Sequence, residues 1–244
     1  MSNEEPKGVG AQDESWRSAR AGRLRAHPGA TSRAEGAPTG LHPLGVSLKH
    51  DGLLYVPPGY RSDQPAPLAV MFHGAGGSAP HGMALLRPLA DELGLLLLAP
   101  GSQGPTWDVI LEDFGPDVHA LDEALTQVFA HYAVDPARVA LGGFSDGASY
   151  ALSLGLGNGD LFRHIIAFSP GFAVPPRQLG TPRIFMSHGT EDRVLSIDRC
   201  SRRLERVFAR ARYDVTYREF EGPHIVPEDL RREAVRWWLD GTVH

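Results

Sequence analysis

The stretch that most constrains this chain is Gly143-Phe144-Ser145-Asp146-Gly147, set between the apolar run Val139-Ala140-Leu141 and the helix-favouring residues 148–156. The implied order is strand, sharp turn, helix. A serine with glycine two positions away on either side fits a turn too tight for side chains at those positions. Ser145 is then expected to project its hydroxyl above the edge of a sheet. There it meets the N-terminus of the next helix, whose unpaired N–H groups and positive dipole end favour the negative charge that develops in acyl transfer.

The surrounding pattern supplies a sheet for that turn. Residues 68–72 and 95–99 are continuous apolar runs bounded by turn residues, as expected of parallel strands covered on both faces. Residues 139–142, 164–168, 183–187 and 213–219 read as further strands, and 44–48 with 52–56 as an antiparallel pair at one edge. Between them, helical spacing runs over 83–93, from Pro116 through Tyr132, over 196–212 and over 227–240. In the 196–212 segment Ile197, Cys200, Leu204, Val207 and Phe208 form an apolar stripe, which makes Cys200 a packing residue. Strands and helices alternate, so the fold expected is α/β with a mostly parallel sheet.

A nucleophilic serine needs a base, a carboxylate to orient that base, and donors for the oxyanion. On an open parallel sheet these groups belong on loops at the carboxyl ends of the strands. His73-Gly74-Ala75-Gly76-Gly77 follows the 68–72 strand, and its glycines allow an N–H of Gly74 or Ala75 to join that of Asp146 as oxyanion donors. His73 is expected to hold that loop. His188-Gly189-Thr190-Glu191-Asp192 offers Asp192 as the carboxylate, with Glu191 as the alternative that spacing does not exclude. Glu221-Gly222-Pro223-His224 offers His224 as the base, downstream of both. Trp107, on the loop after 95–99, is expected either to wall the substrate pocket or to pack in the core. Phe144 and Tyr150 read as packing residues.

With His73 to Gly77, Gly143 to Gly147, Asp192 and His224 in this order, the chain resembles the α/β-hydrolase superfamily over residues 52–240. Gly59-Tyr60, Trp107-Asp108, Gly115-Pro116-Asp117 and Val134-Asp135-Pro136 are similar to the phospholipase/carboxylesterase and polyhydroxyalkanoate-depolymerase-like esterases. The resemblance implies hydrolysis of carboxylic esters by a Ser145, His224, Asp192 triad, with no cofactor and no metal. The chain departs from the pattern at Asp146, where an amide or histidine is more familiar, although only the backbone N–H is needed for catalysis. Secreted depolymerases of that branch usually carry an export signal and a polymer-binding region or disulfides; none of these is expected here, so a polymer substrate is not expected. Thioester or peptide-like hydrolysis and acyl transfer remain open on the same triad, and a silent binding scaffold is the non-enzymatic alternative.

Other classes are disfavoured by composition. The 24 basic and 29 acidic residues form no basic stripe interleaved with aromatics, which argues against nucleic acid as a partner. No apolar run approaches the ~20 residues of a membrane span. A single cysteine, Cys200, fits a reducing, cytoplasmic setting. Residues 1–40 hold few large apolar side chains and are expected to form a disordered or loosely packed arm, ahead of one catalytic domain over 41–244. Only about 14 residues separate the 164–168 and 183–187 strands, and their prolines and glycines leave no room for a sizeable lid.

Overall fold

The computed structural model describes residues 9–29, 37–46 and 50–240. The elements are α1 (Val9–Arg20), β1 (Gly40–Pro43), β2 (Leu53–Val56), β3 (Ala66–Phe72), α2 (Ala79–Ala84), α3 (Arg87–Leu93), β4 (Leu96–Ala99), α4 (Asp108–Leu111), α5 (Pro116–His131), β5 (Val134–Phe144), α6 (Asp146–Leu156), β6 (His164–Phe168), β7 (Arg183–Gly189), α7 (Ser201–Arg210), β8 (Val215–Phe220) and α8 (Glu228–Asp240). They build an eight-stranded sheet in the order β1-β2-β4-β3-β5-β6-β7-β8. From β4 to β8 every pairing is parallel, while β2 runs antiparallel to both β1 and β4. The chain winds outward from β3 in one direction and from β5 in the other. The loops after β3 and β5 therefore part at the switch point, where a crevice forms at the carboxyl edge.

Alternation along each strand divides the interior into two cores. Leu68, Val70 and Phe72 of β3, Leu141 of β5 and Ile165 of β6 pack with α5, α6 and α7 on one face. Ala69 and Met71, Ala140 and Ile166 pack with α2, α3 and α8 on the other. Both faces of the central strands are thus buried, which explains why these strands are continuous apolar runs in the sequence. Truncating one of these fully covered side chains, such as Leu68→Ala, should cost ~2–5 kcal/mol.

Several boundaries differ from expectation. The edge strand lies at Gly40–Pro43, ahead of the expected 44–48, because its register with β2 pairs Gly40 with Val56 and Pro43 with Leu53. Residues 47–49 lie outside the described residues. The expected 83–93 helix is two short ones, α2 and α3, the second opening with Pro88 in its first turn and closing at Gly94 in the left-handed conformation. The penultimate helix is shorter than 196–212, and Val207 is 47% exposed although its spacing placed it on the apolar stripe. Cys200 is half-buried at the N-cap of α7. The segment 170–182 carries no helix or strand, so no sizeable lid is built over the carboxyl edge.

The largest departure is at the N-terminus. The expected loose arm is, over 9–29, a helix and strap docked on the domain. Trp16 stacks on His119 of α5 at 4.2 Å between ring centroids, and Ser15 Oγ lies 3.1 Å from His119 Nδ1. Ala19, Leu24 and Ala26 join the core. The Arg23 guanidinium forks onto both Asp160 oxygens at 2.8 Å and also donates to Asn158 Oδ1 and the Gly157 carbonyl. Asp122 Oδ1 accepts the N–H groups of Arg25 and Ala26 at 2.7 and 2.9 Å. The segment is held largely by polar groups, so a count of its apolar residues underestimates its binding. Residues 1–8 and 30–36 lie outside the described residues.

Candidate active site

Ser145 occupies the turn between β5 and α6 at φ 57° and ψ −120°, a strained conformation for a residue with a side chain. The flanking glycines are dictated by contact. A Cβ on Gly143 would lie 2.6 Å from the Gly147 carbonyl, and one on Gly147 would lie 2.5 Å from the carbonyl oxygens of Phe72 and His73. The Ser145 N–H is anchored to the Phe168 carbonyl at 2.9 Å, which fixes the turn to the neighbouring strand.

Three loops converge on that hydroxyl. Ser145 Oγ is 2.9 Å from His224 Nε2, and His224 Nδ1 is 2.5 Å from Asp192 Oδ2. His224 comes from the β8–α8 loop, where its ring packs on Phe144 at 4.6 Å. Asp192 comes from the turn after β7, and its Oδ1 accepts the N–H groups of Val194 and Leu195, each at 2.8 Å. Burial opposes ionisation of Asp192, but the hydrogen bonds from Leu195, His224 and Val194 outweigh it and hold the carboxyl below the usual range. With acceptors on the acid facing Nδ1, the His224 ring presents Nε2 to the serine as a proton acceptor. Glu191 is exposed and makes no hydrogen bond to His224 among the described residues. The choice between the two acids left open by spacing is therefore made by geometry in favour of Asp192.

The glycine loop lies against the serine from the other side. A Cβ on Gly74 would sit 3.4 Å from Ser145 Cβ, so the backbone at Gly74 passes directly beside Ser145. Among the described residues, none accepts a hydrogen bond from the N–H of Gly74, Ala75 or Asp146. His73 holds the loop, as expected. Its Nε2 accepts the Ser102 N–H at 3.2 Å, which leaves the proton on Nδ1, 2.8 Å from the Gly74 carbonyl. Burial lowers the His73 pKa and keeps that ring neutral.

Trp107 is not a pocket wall. It is 1% exposed, stacks on Tyr150 at 5.0 Å, and donates its Nε1–H to the His73 carbonyl at 2.9 Å. It supports the glycine loop from beneath, and Tyr150 is the packing residue expected. The loop that carries Trp107 is braced by two acids, the buried Asp117 and the half-buried Asp108. Asp117 accepts from the N–H groups of Gln103 (2.6 Å) and Asp108 (2.7 Å), and Asp108 accepts from those of Gly115 (2.8 Å) and Asp117 (3.0 Å). Burial, reinforced by neighbouring Asp108, pushes the Asp117 carboxyl up to about 7 against those N–H donors. Asp146, unusual after the nucleophile, accepts the Thr106 hydroxyl at 2.8 Å and so ties the elbow helix to the same loop.

Sequence reasoning missed three contributors. Thr106 and Ser102 carry no motif. His188 opens the same turn as Asp192, four positions before it, but the sequence reading gives it no role. Among the described residues, no cluster of His, Cys, Asp and Glu suits a metal ion, and no helix is long and apolar enough to cross a membrane.

Comparison with known proteins bears out the resemblance. Residues 117–233 match the model of the phospholipase/carboxylesterase family, a span that contains Ser145, Asp192 and His224 but not the glycine loop. No curated protein shows a significant match. Among solved structures, the Bacillus cereus carboxylesterase is 21% identical with a TM-score of 0.58, covering 78% of this chain and 93% of its own. An esterase designated PE8 is 23% identical with a TM-score of 0.59, covering 72% of this chain and 96% of that one. An S-formylglutathione hydrolase from Staphylococcus aureus is 13% identical with a TM-score of 0.64, covering 84% and 98%. The chain is an α/β-hydrolase by fold, and across residues 117–233 it carries the pattern of the phospholipase/carboxylesterase family.

Proposed function

We propose that this protein is a serine hydrolase that cleaves carboxylic esters through an acyl-enzyme on Ser145. The observation that carries this reading is the hydrogen-bonded line Asp192–His224–Ser145, at 2.5 and 2.9 Å, built from three separate loops on the carboxyl edge. His224 Nε2 takes the proton as Ser145 Oγ attacks the ester carbonyl, and Asp192 stabilises the imidazolium that results. The oxyanion is received by the N–H of Asp146, at the first turn of α6, together with that of Gly74 or Ala75. His224 then protonates the departing alcohol. Water, activated by the same ring, releases the acid and restores the serine. Because the donors are backbone groups, the unusual Asp146 side chain does not interfere. Its acceptance of the Thr106 hydroxyl directs the carboxylate away from this role.

The 170–182 segment leaves the carboxyl edge along α6, hydrogen-bonded to Ser149, Ser153 and Leu156, and forms no helix, so the crevice is open. An open crevice buries little of a long acyl chain, and at about 0.8 kcal/mol per methylene only the first carbons would add to transition-state binding. The substrates proposed are small soluble esters, and the single cysteine fits work in a reducing compartment such as the cytoplasm. A thioester is the second reading, favoured by the fold shared with the S-formylglutathione hydrolase. The test is kcat/KM for matched ester and thioester series of increasing acyl length. A maximum at roughly two to six carbons is expected. A steady rise to long chains, or a jump in rate above substrate solubility, would contradict the open crevice, and a large preference for the thioester series would select the second reading.

A further inference from the structure

The triad carboxylate has a second histidine on it. His188, the penultimate residue of β7, is fully buried, and its Nε2 lies 3.1 Å from Asp192 Oδ2, the oxygen that also receives His224. The same Nε2 lies 2.9 Å from the Leu195 carbonyl, and Nδ1 lies 2.6 Å from Ser201 Oγ at the first position of α7. These contacts determine the tautomer. Both groups facing Nε2 are acceptors only, so Nε2 carries the proton, and the neutral ring accepts the Ser201 hydroxyl hydrogen at Nδ1. Burial lowers the His188 pKa, which agrees with the neutral form.

One ring therefore holds both ends of the acid's turn, the Asp192 carboxylate and the Leu195 carbonyl. Asp192 accepts hydrogen bonds from Val194, Leu195 and His224, and His188 Nε2 stands 3.1 Å from Oδ2, which leaves the carboxylate little freedom to rotate about its terminal bond. A carboxylate held only by Val194 and Leu195 on Oδ1 could swing Oδ2 away from His224. That displacement would uncouple the base.

We infer that His188 is a positioning residue for the hydrolytic reaction: its Nε2–H, oriented by Ser201, locks Asp192 Oδ2 in line with His224. This inference rests on the triad assigned above. The charged and titratable groups around His188 are Asp192 and His224 across the turn, Glu219 opposite it on β8 with its partner Arg202 on α7, and Cys200 at the N-cap of α7. Among these, Asp192 is the one the ring touches.

The test uses the full chain with His188→Leu, His188→Gln and His188→Asn. Gln carries an amide N–H at about the reach of Nε2, whereas Asn and Leu do not. In His188→Leu, kcat should fall about 10–100-fold with KM within about threefold, because misplacing a catalytic group slows chemistry more than it weakens substrate binding. The acid limb of its kcat/KM profile should move to lower pH, since an imidazolium from which the carboxylate has swung away holds its proton less strongly. His188→Gln should restore kcat to within about fivefold of wild type. Wild-type kcat in a folded His188→Leu protein, or equal losses in Gln and Leu, would overturn the inference. If Leu does not fold, the Gln and Asn pair decides, with equal kcat in those two counting against it. Labelling of Ser145 by a fluorophosphonate in the wild type separates the two levels: with labelling intact, a null result at His188 refutes only the positioning role.

Discussion

The carboxyl edge of the sheet and the N-terminal strap are held in place by opposite means. At the edge, Ser145 and Asp192 follow largely buried strands and His224 follows the partly exposed β8, and the groups are set by backbone: Ser145 by a turn that excludes Cβ atoms at Gly143 and Gly147, and Asp192 by two N–H donors of its own turn. The strap has little apolar surface and is fixed by the Arg23 fork, the Asn158 amide and the Asp122 carboxylate. Pattern in the sequence announces the first kind of placement because hydrophobic periodicity and glycine positions are local. It is silent on the second, whose partners lie about a hundred residues away. If the comparison is right, perturbing the edge removes chemistry and leaves the fold, while perturbing the strap weakens the fold and leaves chemistry.

The largest effect short of removing the nucleophile should come from the acid. Asp192→Asn is expected to lower kcat by about 10²–10⁴, because an amide favours the wrong imidazole tautomer and leaves the imidazolium unbalanced. Glu191→Gln should stay within about threefold, since Glu191 is exposed and makes no bond to His224. Steady-state kinetics on both variants, with melting temperatures as control, would break the account if the order were reversed.

At the strap, Arg23→Ala should lower unfolding stability by about 1–3 kcal/mol, the range for losing hydrogen bonds to a charged group. Specific activity at 25 °C should remain within about twofold of wild type. Denaturant titration and initial rates on one preparation decide this, and unchanged stability would return residues 9–29 to the loose arm that composition suggested.

The smallest effect concerns Asp117, in the first turn of α5, which accepts N–H groups from Gln103 and Asp108 of the segment that carries Trp107. Its carboxyl is raised to about 7 in the folded protein, chiefly by burial and then by Asp108, against an ordinary value of 3.8. The folded state therefore binds a proton that the unfolded chain has released, and stability falls as pH rises between these two values and levels off above the upper one. Wild-type stability relative to Asp117→Asn should decline over about pH 4 to 7 and then stay flat. Identical slopes for the two proteins in a pH series of denaturant titrations would remove Asp117 from the account.

Most of the architecture was legible. Residues 68–72, 95–99 and 164–168 became strands because runs of Leu, Val, Ile and Phe have only one way to be covered on both faces. Ser145, Asp192 and His224 came together because each follows a parallel strand at the same edge, although β8 before His224 is a partly exposed edge strand. Trp107 was legible as an aromatic near the site, but whether it faced solvent or core depended on an indole N–H finding the His73 carbonyl, a contact no spacing encodes. His188 and Thr106 escaped for the same reason. Each contacts, through its side chain, a residue that the motifs did name. Val207 shows the converse, since its helical spacing matched the core face of α7 yet it is 47% exposed.

The central claim is that Ser145 is the nucleophile, and covalent labelling tests it most directly. Treating the full-length protein with an alkyl fluorophosphonate and locating the adduct by peptide mass spectrometry should give one adduct per chain, on the peptide carrying Ser145. Ser145→Ala should remain folded, lose the adduct and lose about 10⁴-fold or more in kcat, with the remainder supplied by the oxyanion donors alone. An adduct on another residue, or undiminished labelling and turnover in Ser145→Ala, would contradict the account.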